Sequence, residues 1–191
     1  MAVSAVMVPR VVLASSNAGK LREFAELLAG QGLALVRQSE LGIAPPPETG
    51  STFLDNALIK ARNASRLAGL PAIADDSGIE VDALGGAPGV HSARFAGENA
   101  SDEANLEKLL QSLEGLDKTR RGARYRCVIV YVAHADDPEP LIGEGSWNGA
   151  IISERRGGMP RRSSTRFRSS TVGCCFTGPM ASARPIWRSA S

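Results

Sequence analysis

A short apolar run followed by two carboxylates most constrains the fold of this 191-residue chain. Residues 72–74 read Ala-Ile-Ala and predict a buried strand, and Asp75, Asp76, Ser77 and Gly78 follow directly. Because ligands of open α/β sheets bind beyond the carboxyl ends of strands, these side chains are candidates for a site. Neighbouring strand residues face opposite sides, so one carboxylate is expected to bind metal or activate water while the other braces the loop. The competing interpretation is an ordinary polar turn.

The rest of the N-terminal four-fifths alternates between strand and helix patterns. Apolar runs predict further strands at 11–15, 33–36, 79–82, 125–134 and 140–147, and helical spacing predicts helices at 20–28, 52–67 and after Ser101. This order predicts an α/β fold with a mixed β-sheet. The length predicts one domain, or one domain with two lobes.

Composition restricts the location and divides the chain by charge. No apolar run approaches the roughly 18 residues of a membrane span, and three cysteines without metal-ligand spacing predict a reducing cytoplasm. Residues 1–154 hold 14 basic and 20 acidic side chains, a net charge of −6. Residues 155–191 hold eight arginines, no lysine and no acid, a net charge of +8. Such an asymmetry is typical of nucleic-acid or acidic partners.

The segment from Ser15 to Lys20 joins a predicted strand to a predicted helix and is a candidate anion site. Asn17 is a good N-cap residue, and the N–H groups and dipole of a helix N-terminus favour a phosphate. Lys20 adds a positive charge. The segment is not a Walker A loop, since Ala14 and Leu21 stand where that motif needs Gly and Ser or Thr. The competing interpretation is a capped helix with a solvent-facing lysine.

A second pair of charged residues flanks the long predicted helix. Glu48 precedes this helix and Lys60 lies on it among small apolar residues. Glu48, Asp75 and Asp76 could together hold Mg²⁺, which prefers hard oxygen ligands, while the lysines neutralise phosphates. That combination suits cleavage of a nucleotide phosphoanhydride by metal-assisted water attack.

Four ordered motifs carry a specific resemblance over residues 10–149. They read LASSNAGKLREF (13–24), ETGSTFLDNALIKAR (48–62), LPAIADDSGIEVDALGGAPGVHSAR (70–94) and GEGSWNGAI (143–151). In these motifs the chain resembles the inosine triphosphate pyrophosphatase family. The resemblance implies an elongated mixed sheet flanked by helices, with two lobes and a central nucleotide cleft. It also implies Mg²⁺-dependent hydrolysis of ITP, dITP and XTP to the monophosphate and pyrophosphate, and a homodimer.

The resemblance assigns roles to residues at matching motif positions. Substrate binding is implied for five of them: Ser15, Asn17, Lys20, Lys60 and Ser77. Glu48 and Asp76 would bind Mg²⁺, with Asp75 supporting the metal shell. Asp76 would also be the base that activates water, since a carboxylate beside a metal can take a proton from water of lowered pKa.

The chain departs from this family after about residue 154. Residues 1–153 are predicted to form the pyrophosphatase-like domain, and 154–191 an atypical Arg/Ser-rich tail without the family's purine-binding motifs. We interpret the tail as the product of a shifted reading frame near residues 154–160. Its basic charge is then no sign of a nucleic-acid partner, and we expect the activity of the chain to be impaired. The alternative function is a non-catalytic nucleotide- or nucleic-acid-binding protein. A related pyrophosphatase acting on other nucleotides is a third interpretation, which the Asp-Asp-Ser-Gly and Gly-Gly-Ala-Pro-Gly segments disfavour.

Overall fold

The computed structural model describes residues 8–152 and 176–177, which contain three α-helices and six β-strands. The strands are β1 Arg10–Leu13, β2 Ala34–Arg37, β3 Ala72–Val81, β4 Gly122–Val132, β5 Leu141–Ile151 and β6 Phe176–Thr177. The helices are α1 Ala18–Leu27, α2 Phe53–Ala68 and α3 Asp102–Ser112. No helix among these residues is long and apolar enough to cross a membrane.

The strands form one mixed sheet. Their order is β2-β1-β3-β4-β5-β6. β1 pairs in parallel with both β2 and β3, whereas β5 and β6 are antiparallel. The predicted α/β class and mixed sheet are therefore confirmed. Helices link the parallel strands, as parallel pairing requires a crossover connection.

Helix boundaries follow local capping chemistry. Thr52 and Asp55 form a reciprocal capping box at the start of α2, and Gly69 ends the helix in the left-handed conformation with φ 64°. Ser101 caps α3 by accepting a hydrogen bond from the Ala104 N–H. These boundaries agree with the helices predicted from the sequence.

One predicted boundary is wrong. The sequence predicts that the strand at 72–74 ends at Asp75 and Asp76 and that a separate strand covers 79–82, but β3 runs unbroken from Ala72 to Val81. The residues around the segment are buried on both faces of the strand, and β4 pairs alongside. Pairing and burial therefore override the turn preference of Asp, Ser and Gly.

The described residues divide into two compact units. The first contains residues up to Asp75 together with Ile129–Ile142, and the second contains Asp76–Val128 and residues from Gly143 onward. A core cluster of the first unit contains Val11, Leu13, Phe24 and Ile73. A core cluster of the second contains Ile79, Val81, Leu109, Leu113, Ala123 and Ile151. The predicted division into residues 1–153 and a tail stays a prediction, since most of the tail lies outside the described residues.

Candidate active site

Parallel pairing of β1 with β3 places the first helix beside the carboxylates. Leu13 is in register with Ile73, and the Ala14 N–H donates to the Ile73 carbonyl at 2.8 Å. Beyond this point the chain leaves the sheet and begins α1, while β3 continues into Asp75. The carboxyl end of β1 is thus the edge at which open α/β sheets bind ligands.

The start of α1 is capped by its own side chains. Asn17 Oδ1 accepts hydrogen bonds from the N–H groups of Gly19 and Lys20 at 2.8 and 3.2 Å. Ser15 Oγ accepts from the Asn17 N–H at 3.2 Å. The expectation that the N–H groups of this terminus are open to an anion is therefore wrong for these three, because the capping side chains already satisfy them.

Lys20 does not face solvent, contrary to the competing interpretation of its segment. Its Nζ forms a hydrogen-bonded ion pair with Asp75 Oδ2. The Asp75 side chain is only 4% exposed and that of Lys20 is 20% exposed. A buried carboxylate is stable only when paired or hydrogen-bonded, so this pair fixes a cation beside the N-terminus of α1.

Glu48 and Lys60 form the second lysine–carboxylate pair. Lys60 Nζ donates to Glu48 Oε1 at 3.1 Å, and both side chains are less than one-third exposed. The loop that carries Glu48 is fixed by the Gly50 N–H, which donates to Oδ1 of the fully buried Asn56 at 2.8 Å. A side chain at Gly50 would overlap Asn56, so this close approach requires glycine.

Asp76 and Ser77 lie in the middle of β3 in the second unit. The Asp76 side chain is buried, with 7% exposure. Ser77 is half-buried and its Oγ accepts a hydrogen bond from the Tyr125 hydroxyl on β4 at 2.7 Å. Asp76 follows Asp75 directly, so β3 carries two consecutive buried carboxylates.

The predicted site residues thus fall into three described groups. Ser15, Asn17, Lys20 and Asp75 form one, Glu48 and Lys60 form another, and Asp76 with Ser77 forms the third. Two side chains that shape these groups were missed by the sequence analysis, Asn56 and Tyr125. Asn56 stands out in hindsight as a polar residue on the alanine-rich face of α2, whereas Tyr125 gave no signal.

The carboxylates of the candidate site could bind a divalent cation that is also bound by a substrate. Among the residues described, no three His, Cys, Asp or Glu side chains are grouped closely enough to hold a metal ion. Mg²⁺ sites usually combine one or two carboxylates with waters and substrate phosphates. Glu48, Asp75 and Asp76 offer carboxylate oxygens, the kind of ligand that Mg²⁺ prefers.

Comparison with known proteins places the chain in a family. The Ham1 family matches residues 11–160. The dITP/XTP pyrophosphatase of Thioalkalivibrio sulfidiphilus is 57% identical over 148 residues, which are 78% of this chain and 76% of that protein. The dITP/XTP pyrophosphatase of Escherichia coli O157:H7 is 55% identical, with 78% and 75% covered.

Solved structures agree with this placement. A HAM1 protein from Coxiella burnetii is 47% identical with a TM-score of 0.74, covering 78% of this chain and 76% of that chain. The Staphylococcus aureus Ham1 protein is 41% identical with a TM-score of 0.68, covering 78% and 74%. The family resemblance predicted from the motifs is confirmed. The chain belongs to the Ham1 family.

Proposed function

We propose that this chain hydrolyses non-canonical purine nucleoside triphosphates, namely ITP, dITP and XTP, to the monophosphate and pyrophosphate. The pairing of Lys20 with buried Asp75 carries the proposal, because it fixes an ammonium group at the carboxyl end of β1, where open α/β sheets bind ligands. Relatives named dITP/XTP pyrophosphatase, more than half identical to this chain over 148 residues, support the substrate class. Such an enzyme removes these nucleotides from the nucleotide pool.

The triphosphate is proposed to bind to the polar and basic side chains. Lys20 and Lys60 neutralise phosphate oxygens, and the side chains of Ser15 and Asn17 shape the phosphate-binding turn. Ser77 donates a hydrogen bond to the substrate. Each lysine is held by a carboxylate in the described structure. This pairing fixes the ammonium groups before substrate arrives, which reduces the ordering that binding requires.

Hydrolysis needs a base and charge neutralisation. Glu48 and Asp76 would bind Mg²⁺, with Asp75 supporting them, and the ion would supply neutralisation of the phosphates and a lowered pKa for water. The Asp76 carboxylate accepts a proton from the attacking water. The new P–O bond forms as the phosphoanhydride bond breaks, and pyrophosphate leaves with the bonding electrons.

Purine selectivity, assembly and location are further parts of the proposal. We expect the altered residues 154–191 to weaken activity and selectivity, because a pocket that hydrogen-bonds a substrate group discriminates strongly only when complete. These residues lie outside the described structure, apart from 176–177. Translating the other two frames of the coding DNA tests whether an aromatic-Gly-aromatic-Asp-Pro loop and a Ser-His-Arg motif are encoded there.

A homodimer in the cytoplasm is proposed.

Pyrophosphate release by the intact 191-residue chain tests the function. With Mg²⁺, faster release from ITP and XTP than from ATP and GTP is expected. Asp76→Asn should abolish release while leaving the melting temperature near that of the parent. Asp117→Asn, at an exposed position, is the matched control and should retain activity. Full activity of Asp76→Asn would exclude Asp76 as the base. Binding of ITP without any release would support the alternative of a non-catalytic nucleotide-binding protein.

A further inference from the structure

Tyr125 and Ser77 form a hydroxyl–hydroxyl hydrogen bond between adjacent strands of the second unit. Tyr125 Oη on β4 donates to Ser77 Oγ on β3 at 2.7 Å. This is the usual length of an O–H···O hydrogen bond. Both side chains are half-buried, so bulk water competes only partly for the bond. The bond therefore restrains Ser77.

The direction of this bond determines what Ser77 can do. A serine hydroxyl has one proton to donate and two acceptor positions. A phenolic O–H is more acidic than a serine O–H, so Tyr125 is the better donor of the pair; it then uses an acceptor position of Ser77 Oγ, and the proton of Ser77 serves a different bond. A hydrogen bond received by a hydroxyl also polarises it, which strengthens the bond that it donates.

We propose that Tyr125 is a positioning residue, which orients Ser77 so that its hydroxyl proton is donated to an anionic phosphate oxygen of the bound triphosphate. This inference rests on the proposed function, in which Ser77 contacts the substrate. A phosphate oxygen can only accept hydrogen bonds, so the contact requires Ser77 to be the donor. Without the Tyr125 hydroxyl, Ser77 Oγ loses one of the contacts that hold its rotamer.

Tyr125→Phe removes only the oxygen and keeps the ring. With ITP and Mg²⁺, we expect kcat/KM for pyrophosphate release to fall about three- to tenfold, the effect of one neutral hydrogen bond. The fall should be in KM, with kcat nearly unchanged, because Ser77 holds the phosphate before and during reaction. Ser77→Ala should have at least the same effect. Adding Tyr125→Phe to Ser77→Ala should lower kcat/KM no further.

The other tyrosine supplies the matched control. Tyr131 packs against the core of the first unit, and Tyr131→Phe should leave kcat/KM unchanged. The inference is overturned if Tyr125→Phe matches the active parent, or if its effect is as large in the Ser77→Ala background as in the parent. Thermal melting of every variant separates loss of folding from loss of positioning. If the parent itself releases no pyrophosphate from ITP, the proposed function fails, and the inference fails with it.

Discussion

At the scale of single residues, the first unit contains a buried carboxylate that needs a cationic partner. Asp75 is 4% exposed, and its partner Lys20 comes from a segment 55 residues earlier in the chain. An ionised carboxylate in such a position is unstable without a cation. The pair therefore links α1 to β3 as well as holding the proposed phosphate-binding lysine in place.

Removing the ammonium should destabilise the fold more than removing both charges. We expect Lys20→Met to lower the free energy of unfolding by about 2–3 kcal/mol, since Asp75 is left buried and unpaired. The double variant Lys20→Met/Asp75→Asn should recover at least half of this loss. Urea unfolding measures all three proteins, and Lys118→Met, at an exposed position, should stay within about 0.5 kcal/mol of the parent. A double variant no more stable than Lys20→Met would contradict the role of the unpaired charge.

The Asp137 carboxylate fixes the connection between β4 and β5 by accepting hydrogen bonds from the backbone. Its Oδ2 accepts from the Ala133 N–H at 2.8 Å, and its Oδ1 accepts from the Glu139 N–H at 3.0 Å. These backbone hydrogen bonds favour the ionised form and hold the pKa of Asp137 below its usual value of 3.8.

The depressed pKa of Asp137 makes this stabilisation dependent on pH. Because the folded state has the lower pKa, the stabilisation is present above the unfolded pKa and is lost as pH falls through the folded one. Asp137→Asn keeps a single acceptor oxygen, so its melting temperature should be lower than that of the parent at about pH 7. The difference should shrink below pH 3.8. Asp136→Asn, with 88% of its side chain exposed, is the control and should have a melting temperature near that of the parent. If the difference in melting temperature between Asp137→Asn and the parent did not change with pH, the stabilising role of the ionised Asp137 carboxylate would be refuted.

At the scale of elements, the sequence predicts α2 well and β3 poorly. The signals for α2 are local: Thr52 and Asp55 cap its start, alanines recur at helical spacing, and Gly69 ends it. In β3 the local signals point to a turn at Asp75–Gly78, yet the strand continues. The strand continues because it pairs with β4, which lies more than 40 residues later in the chain. A pattern of a few neighbouring residues cannot reveal this pairing.

For the candidate site, too, the sequence predicts some features and not others. Motif positions identify Lys20, Asp75, Glu48 and Lys60, and the structure pairs them two by two. The hydrogen bond that Tyr125 donates to a residue 48 positions away depends on the register of β3 and β4. Such long-range partners follow from strand pairing, which sequence spacing does not determine.

Gly50 lies between the start of α2 and Glu48, a candidate site residue. A Cβ at Gly50 would lie 2.5 Å from Asp55 Cβ and 2.9 Å from the Asn56 backbone nitrogen. We expect Gly50→Ala to destabilise the start of α2 by about 1–3 kcal/mol, as overpacking does, and to weaken ITP hydrolysis by displacing Glu48. Chemical denaturation and pyrophosphate release measure the two effects. Gly143→Ala, where a Cβ meets nothing within 4 Å, is the control. Parent-like stability in Gly50→Ala would show that the loop can shift without penalty.

At the scale of the whole molecule, the net charge of +2 conceals two opposite parts. All 20 acidic residues lie within residues 1–154, which carry −6, and residues 155–191 carry +8. A polyanion such as duplex DNA is repelled on average by the first part and attracted by the second. Any affinity for nucleic acid should therefore come from the arginines of residues 155–191 and be independent of the proposed catalytic residues.

This separation gives a prediction for the intact chain. If it binds duplex DNA at all, the affinity should fall roughly a thousandfold between about 50 and 200 mM salt, because arginine–phosphate contacts release counterions. Replacing the eight arginines of 155–191 by glutamine should abolish this binding. Asp76→Asn, which should abolish ITP hydrolysis, should leave it unchanged. Fluorescence anisotropy of a labelled duplex across a salt series measures each protein. Binding that survives the arginine replacements would place a nucleic-acid site in residues 1–154 and favour the binding-protein alternative. Binding that resists salt would contradict attraction by the arginines.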